Sequence, residues 1–317
     1  MRHEFIDLKK EIENAIRWQV SPEYAFTQTL AVRLKSKATG QFMKKNEIKN
    51  IWAVPKYLPY VQPELTEEIL ENAEKKIGFK LPTELIEILK IQNGGYVRYK
   101  LMETPHEIIM GIGPYFPSLT DIDWTYHKEY VSFELDGLVP IDGDGHWYIC
   151  LDYRNNKDNP KISWINTECD EQKEIAHSFA DFLGLLELDI ENELVIETSN
   201  PIDTIAKKIE KILKIIFEEP EYFNRGYATY RSKYKNSWIW LTPNKVPTGF
   251  IREDDERFND LKDQMNVFSV RFPEISDTSL FLELSDEKLN TEIISKLTEH
   301  KIVIKPIIEI IQKSPNS

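Results

Sequence analysis

The apolar positions of this chain change period along its length, and the changes mark its elements. Between residues 4 and 20, Phe5, Leu8, Ile12, Ile16 and Val20 recur at helical spacing until Ser21-Pro22 breaks the run. A weaker helical stretch at 25–34 leads into a basic segment at 35–49, where Gly40 and scattered lysines suggest a loop. Three prolines from Pro55 to Pro63 predict extended chain over a surface. Two short helices follow. Leu65, Ile69, Ala73 and Ile77 share one face, Thr66 stands where it can cap, and Glu67 and Glu68 favour the positive end. Gly78 is placed to end that helix in the left-handed conformation. Pro82 opens the second helix, where a missing N–H costs nothing. Leu85, Ile88 and Leu89 form its apolar face, and Asn93-Gly94-Gly95 stops it.

The period then shortens to two. Residues 96–101 alternate, 107–110 and 137–141 read as short buried strands, and 146–153 is the clearest strand of all. In it Trp147, Ile149 and Leu151 point one way, and His146, Tyr148, Cys150 and Asp152 the other. Residues 161–165 supply a hairpin partner, and Ser178 caps a helix striped by Phe179, Phe182, Leu183 and Leu186. Beyond 190 the pattern reads as a separate α+β module. It has a strand at 194–197, a helix capped by Asn200 with Pro201 at its first position, and strands at 227–233, 237–241, 267–272 and 280–284. A charged connection at 252–263, read as a solvated helix, a helix at 286–297 and a strand at 301–304 complete it. No internal repeat is present.

The landmarks of the middle segment fall in a distinctive order. They run Leu65-Thr66-Glu67-Glu68-Ile69, Ala73-Glu74-Lys75-Lys76-Ile77-Gly78, Lys80-Leu81-Pro82 and Asn93-Gly94-Gly95. Then come Gly111-Ile112-Gly113-Pro114, Phe116-Pro117-Ser118-Leu119-Thr120, Gly137-Leu138-Val139-Pro140-Ile141, Gly145 and Leu151-Asp152-Tyr153. Residues of about 46–190 thereby resemble the SUKH superfamily, in the branch named after the yeast cell-wall-synthesis regulator. The resemblance implies an α+β fold of helices on a mostly antiparallel curved sheet. It also implies function by binding. Bacterial members are thought to be immunity proteins that occlude a toxin, often a nuclease, and fungal members act as scaffolds in cell-wall signalling. The family supplies no catalytic residues to carry over. The expected organisation is a helical basic extension at 1–45, a SUKH-like domain at 46–190 and an α+β module of unassigned role at 191–317.

Charge sharpens the picture. Residues 1–62 hold 11 basic and 6 acidic side chains, residues 63–190 hold 11 and 25, and the remainder 18 and 22. The acidic middle would repel phosphate backbones and attract a basic partner. The basic extension, with Arg33, Lys35, Lys37, Lys44, Lys45 and Lys49 near Phe42 and Trp52, admits either a nucleic-acid contact or an internal contact with the acidic domain, the latter being preferred. No apolar run spans a bilayer, the first ten residues lack the apolar stretch of a secretion signal, and two cysteines make no disulfide framework. A cytoplasmic setting is expected.

Catalytic motifs are missing. The six histidines show no zinc-binding spacing, and Asp142-Gly143-Asp144-Gly145-His146 fails as a calcium loop because His146 and Trp147 stand where an oxygen ligand and glycine belong. There is no nucleophile elbow and no phosphate loop. Cys150 and His146 share a strand face but lie about 13 Å apart, too far for proton transfer. No enzyme activity, metal or cofactor is therefore expected. What remains is a protein-binding surface. Tyr96, Arg98, His146, Tyr148 and Asp152 give one sheet face a polar and aromatic character. Nearby loops add Tyr115, Phe116, Trp124 and Tyr126, and Asp142 and Asp144 lie on an adjoining turn. Two readings stay open for that face: an interface for a protein partner, a basic toxin domain above all, or a face that helices cover while the aromatics seal the core. A regulatory scaffold without a toxin partner is the alternative function.

Overall fold

In the computed structural model, which describes residues 43, 45–102, 104–190 and 193–311, the capping signals at the two central helices act as their sequence dictates. Thr66 Oγ1 accepts the Ile69 N–H at 3.2 Å to start α1 (Glu67–Ile77), and Gly78 closes it at φ +84°. Glu74, buried on α1, takes the Leu81 N–H at 3.0 Å and so holds the link to α2 (Thr83–Ile91). The larger of two compact units spans residues 39–101 and 106–317, and all the elements below belong to it. The helices expected at 4–20 and 25–34, and the contact expected of the basic extension, lie outside the described residues.

Four short strands precede the main sheet: β1 (Lys56–Tyr57), β2 (Gly95–Tyr96), β3 (Tyr99–Leu101) and β4 (Ile108–Ile109). The single strand expected over 96–101 is split, because Val97 bridges to Trp52 and the Arg98 N–H turns to the Ile51 carbonyl. An antiparallel meander of β5 (Leu138–Gly143), β6 (Trp147–Asp152), β7 (Lys161–Asn166) and β8 (Glu171–Ala176) forms the central sheet. β8 escapes sequence reading because its first four residues are all polar and exposed. α3 (Phe179–Leu185) is capped by Ser178, and β9 (Leu186–Leu188) pairs with β3.

The carboxy-terminal segment begins with β10 (Leu194–Glu197) and α4 (Ile202–Leu213). Pro201, not Asn200, occupies the cap of α4, and the Asn200 amide bonds Thr198 instead. β11 (Tyr230–Tyr234) and β12 (Ser237–Pro243) follow. Next comes an insertion holding β13 (Lys245–Pro247), β14 (Gly249–Phe250), α5 (Phe258–Leu261) and β15 (Phe268–Val270). The helix expected across 252–263 shrinks to α5, since only Leu261 of that helix is buried to hold it in place. β16 (Leu280–Leu284), α6 (Asn290–Glu299), β17 (Val303–Pro306) and α7 (Ile307–Ile311) end the described chain. The five-stranded sheet runs β11-β12-β16-β10-β17 with every neighbour antiparallel. Apart from the added edge strand β11, this is the split β-α-β arrangement.

Strand alternation sends the two faces of that sheet into different cores. Leu194, Ile196, Leu280, Leu282 and Leu284 pack beneath α4 and α6 with Ile205, Ile209, Ile293 and Leu297. Val195 and Phe281, facing the other way, join Phe272, Ile275, Ile307 and Ile311 in the same core as Leu85, Ile149, Leu151 and Phe182. The insertion reaches the same way: β14 pairs in parallel with β1.

Candidate functional site

Of the two readings left open for the sheet face, the structure shows a covered one. β6 is buried on both sides, because residues 121–136 fold over the Tyr148 side and pack Trp124 and Leu135 against Tyr148, Cys150 and Ile165. The cover is this loop rather than a helix. Trp124, Arg98, Asp142, Tyr148 and Asp152 are interior, and each makes hydrogen bonds to groups of this chain, although Arg98 Nε is buried without a partner. Trp124 donates its indole N–H to the Leu138 carbonyl at 3.1 Å. Asp142 takes the N–H groups of Glu107 (2.9 Å), Ile108 (3.3 Å) and Gly143 (2.8 Å) and lies 2.8 Å from His106 Nδ1. Asp152 holds Arg154 through Nε at 2.8 Å and Nη2 at 2.7 Å, and accepts Ser163 Oγ at 2.8 Å. Burial raises the Asp152 pKa, but the bonds from Arg154 and Ser163 outweigh it and leave this carboxyl below the usual range. Arg98 reaches Glu274 at 2.9 Å and stacks on Phe272, tying the two segments of the chain together.

The loop that covers β6 carries its own surface. It holds five carboxylates, Asp121, Asp123, Glu129, Glu134 and Asp136, against the single cation Lys128. All six are exposed, and Lys128 is tied to Asp136 at 2.7 Å. Tyr126 (69% exposed) and Tyr130 (54%) stand out of it with ring centroids 5.1 Å apart. Two contacts join this loop to the central sheet and its turns, and a third, within the sheet, continues them. The Ser132 N–H donates to Asp170 at 2.6 Å, His127 Nε2 lies 3.3 Å from the Tyr148 hydroxyl, and that hydroxyl donates to the Gly145 carbonyl at 3.2 Å. The Thr167 N–H then bonds the His146 carbonyl, and His146 pairs with Glu168 at 2.8 Å. Asp144 caps this turn by accepting the N–H groups of His146 and Trp147. The result is one continuous acidic surface with two tyrosines at its head. Hydrogen bonds from Thr125 hold the Asp123 carboxyl below its ordinary pKa, so it stays charged well into acid. Burial and the nearby His146 lower the His127 pKa, which keeps that ring uncharged at neutral pH.

Tyr126, Asp144 and His146 thus fall on one surface, while Tyr96, Tyr115 and Phe116 gather elsewhere. Tyr96 stacks on Tyr60 at 5.3 Å, Tyr60 meets Tyr57 at 5.0 Å, and Phe116, 74% exposed, touches Tyr60 at 6.4 Å. Burial, with the Tyr60 hydroxyl beside it, pushes the Tyr96 phenol up to about 12. The loop is fixed by Gln62, which donates to the Pro117 carbonyl at 3.1 Å and accepts the Tyr115 N–H at 3.0 Å. Sequence reasoning missed Tyr130, Glu168 and Asp170 on the acidic surface. Asn166 signals their turn by capping the N–H groups of Glu168 and Cys169, but the Ser132–Asp170 bond spans 38 residues and leaves no local trace.

Among the described residues, no group of three or more His, Cys, Asp or Glu side chains is placed to hold a metal ion. Cys150 is fully buried, and burial pushes its thiol well above the ordinary pKa, so it packs as a small apolar residue. Among the same residues no helix is long and apolar enough to cross a membrane. Helices packed on antiparallel sheets define an α+β domain. Residues 64–185 match the model of the SMI1 / KNR4 family (SUKH-1), and this domain belongs to the SUKH superfamily. The match is narrower than the 46–190 read from the landmarks and leaves 191–317 outside it. No curated protein matches the chain.

Proposed function

We propose that this SUKH-domain protein works without catalysis, as a bacterial immunity protein that binds and occludes a cognate toxin, a basic nuclease domain being the best fit. The observation that carries the reading is the acidic surface of residues 121–136, 144 and 168–170 with Tyr126 and Tyr130 exposed upon it. Carboxylates in that array stand in for the phosphates a nuclease cleft is built to hold, and long-range attraction raises the association rate. The tyrosines supply rigid amphipathic area at the centre of the contact. The cytoplasm, where such a toxin would act, is the matching compartment.

The test is co-expression with the toxin encoded beside this gene. Rescue of growth, and a complex on gel filtration whose association rate falls steeply with salt, is the expected result. Tyr126→Ala with Tyr130→Ala should weaken that complex by about 2–4 kcal/mol, on the order of 30- to 1,000-fold. Continued cell death with no complex would refute the toxin reading. Capture of a signalling or envelope protein, without a toxin, would favour a regulatory scaffold instead.

A further inference from the structure

The outer strands of the two larger sheets are guarded, and an edge in the insertion between β12 and β16 is not. On the central sheet, residues 107–110 line β5: the Met110 N–H bonds the Ile141 carbonyl, and Asp142 takes the Glu107 and Ile108 N–H groups. At the other side β8 exposes Glu171, Gln172, Lys173 and Glu174. In the five-stranded sheet, β11 is lined by residues 216–221 through bonds at Ile216, Glu218 and Glu221, and β17 ends in Lys305 and Pro306. Internal partners, charge and proline keep strand edges from pairing with other chains. β15 has none of these on its outer side. With the residue before it, it reads Val267-Phe268-Ser269-Val270, and Val267 is 64% and Phe268 61% exposed.

β15 pairs with β13 in a two-stranded sheet. The alternation of an antiparallel ladder decides which groups are spent there. The Thr248 N–H bonds the Val267 carbonyl and the Arg271 N–H bonds the Asn244 carbonyl, so residues 267, 269 and 271 turn their backbone groups to β13. Phe268 stands opposite Pro247, which has no N–H to give, and Val270 opposite Lys245. The N–H and C=O groups of Phe268 and Val270 therefore point to the outer edge, where no backbone partner meets them among the described residues. Pro247, Phe268 and Val270 share one face of this ribbon, away from the face of the buried Val246.

An edge with N–H and C=O groups at alternate residues is its own complement about a two-fold axis. An antiparallel copy centred on Ser269 sets Phe268 against Val270 of the second copy, and Val270 against Phe268 of that copy. Each such pair exchanges both of its N–H···O bonds. Each exposed Phe268 ring then lies beside a β-branched side chain, a favourable cross-strand pair. A marginal two-stranded ribbon becomes part of a four-stranded sheet. Residues 267–270 carry no charge that would oppose the pairing. We propose that β15 is a self-pairing edge, through which two copies of this chain join antiparallel about Ser269. Strands of three residues bury less than the roughly 1,200–2,000 Å² of a stable interface, so the dimer is weak and concentration-dependent. The proposal stands independently of the toxin reading.

The test is sedimentation equilibrium of the full chain, joined to a cysteine cross-link. Between about 1 and 200 µM the mean mass should rise from one chain toward two, and added salt should raise it further by screening the net charge of −13 on each copy. Phe268→Pro removes an outward N–H and leaves the β13 ladder intact. It should weaken dimerisation at least about tenfold, with a thermal midpoint within about 3 °C of the parent. Should that variant unfold, Phe268→Lys should still weaken dimerisation at least about threefold. Ser269 would meet its own copy at a non-hydrogen-bonded position, about 4.5 Å between Cα atoms and within disulfide reach. Cys169 is exposed, so the cross-link is made in a Cys169→Ser background. There Ser269→Cys should form a dimer on diamide oxidation, two thiols giving one disulfide, and Ser276→Cys, exposed but off the edge, should not. A mass that stays at one chain throughout, a dimer indifferent to both Phe268 variants, or equal cross-linking from the two cysteine variants would overturn the proposal. So would cross-linking of Ser269→Cys in cells to a different protein in preference to its own copy. Tyr126→Ala should leave the dimer unchanged, which separates this edge from the acidic surface.

Discussion

Phe281 sits on the strand where the two cores part company, and its loss tests whether they form one structure. The side chain is 1% exposed, its ring meets that of Phe272 at 5.2 Å, and the Arg271 guanidinium lies 4.8 Å above it. It belongs to the core of Ile149 and Leu151, although its strand is part of the carboxy-terminal sheet. Phe281→Ala removes a buried ring and leaves a cavity, at a cost of about 3–5 kcal/mol. The lost ring and cation contacts place the expectation near the middle of that range, about 4 kcal/mol. For a unit of this size that lowers the melting midpoint by about 8–16 °C. The informative assay is native-state hydrogen exchange at the amides of Ile149, Cys150 and Leu151 on β6. With a shared core these amides should lose on the order of a thousandfold in protection, the same free energy expressed at a distance. Unchanged protection on β6, with loss confined to β10, β12 and β16, would refute the shared core and make residues 191–317 an independently folding domain.

Other outcomes follow from single side chains. Asp142→Ala should cost at least about 3 kcal/mol in urea unfolding, because three backbone N–H groups and His106 lose their acceptor inside the protein. Gly94→Ala should be comparably damaging in the same assay. Gly94 lies at φ +91°, and a Cβ there would meet Gly111 N at 2.6 Å, so Asn93-Gly94-Gly95 and Gly111-Ile112-Gly113 must approach as bare backbone. Stability should fall in acid through two carboxyls held below their ordinary pKa. Asp152 is one, bound by Arg154 and Ser163, and Glu292 the other, lowered to about 2 by Lys235, Tyr234 and Lys296. Both bind protons less readily folded than unfolded, so their contribution is complete above the unfolded value of about 4 and vanishes as pH drops through the folded one. Urea midpoints of Glu292→Gln should accordingly fall less steeply than those of the parent between pH 4 and 2.

The local signals were legible because each acts within a few residues. Thr66, Gly78 and Ser178 set helix ends through their own hydroxyls or backbone freedom, and the helical and alternating periods located most elements. β8 was invisible because Glu171-Gln172-Lys173-Glu174 has no apolar alternation, and β7 recruits it through backbone pairing and a Lys161–Glu174 ion pair. Asn200 misled because a competing local bond to Thr198 occupies its side chain.

The burial of the polar strand face and the exposure of the acidic loop have a related cause. Polar letters on one face of a strand suggest solvent, since an unbonded polar group is costly to bury. Asp152, Ser163 and Arg154 defeat that inference by satisfying one another, and Asp142 by collecting backbone N–H groups across more than thirty residues of chain. A sequence records the donors and acceptors but not their meeting. The acidic loop is the opposite case: its five carboxylates exceed their cationic partners, Lys128 at Asp136 and Lys76 at Asp121 among the described residues. Charge that cannot be neutralised from within must face water or another molecule, and for residues 121–136 this could be read before any coordinates. Glu253 follows Arg252 and Glu256 precedes Arg257, yet neither arginine forms an ion pair among the described residues, because both are drawn onto aromatic rings from distant parts of the chain. Excess charge of one sign was visible in the letters; isolated charge of the other depended on the fold.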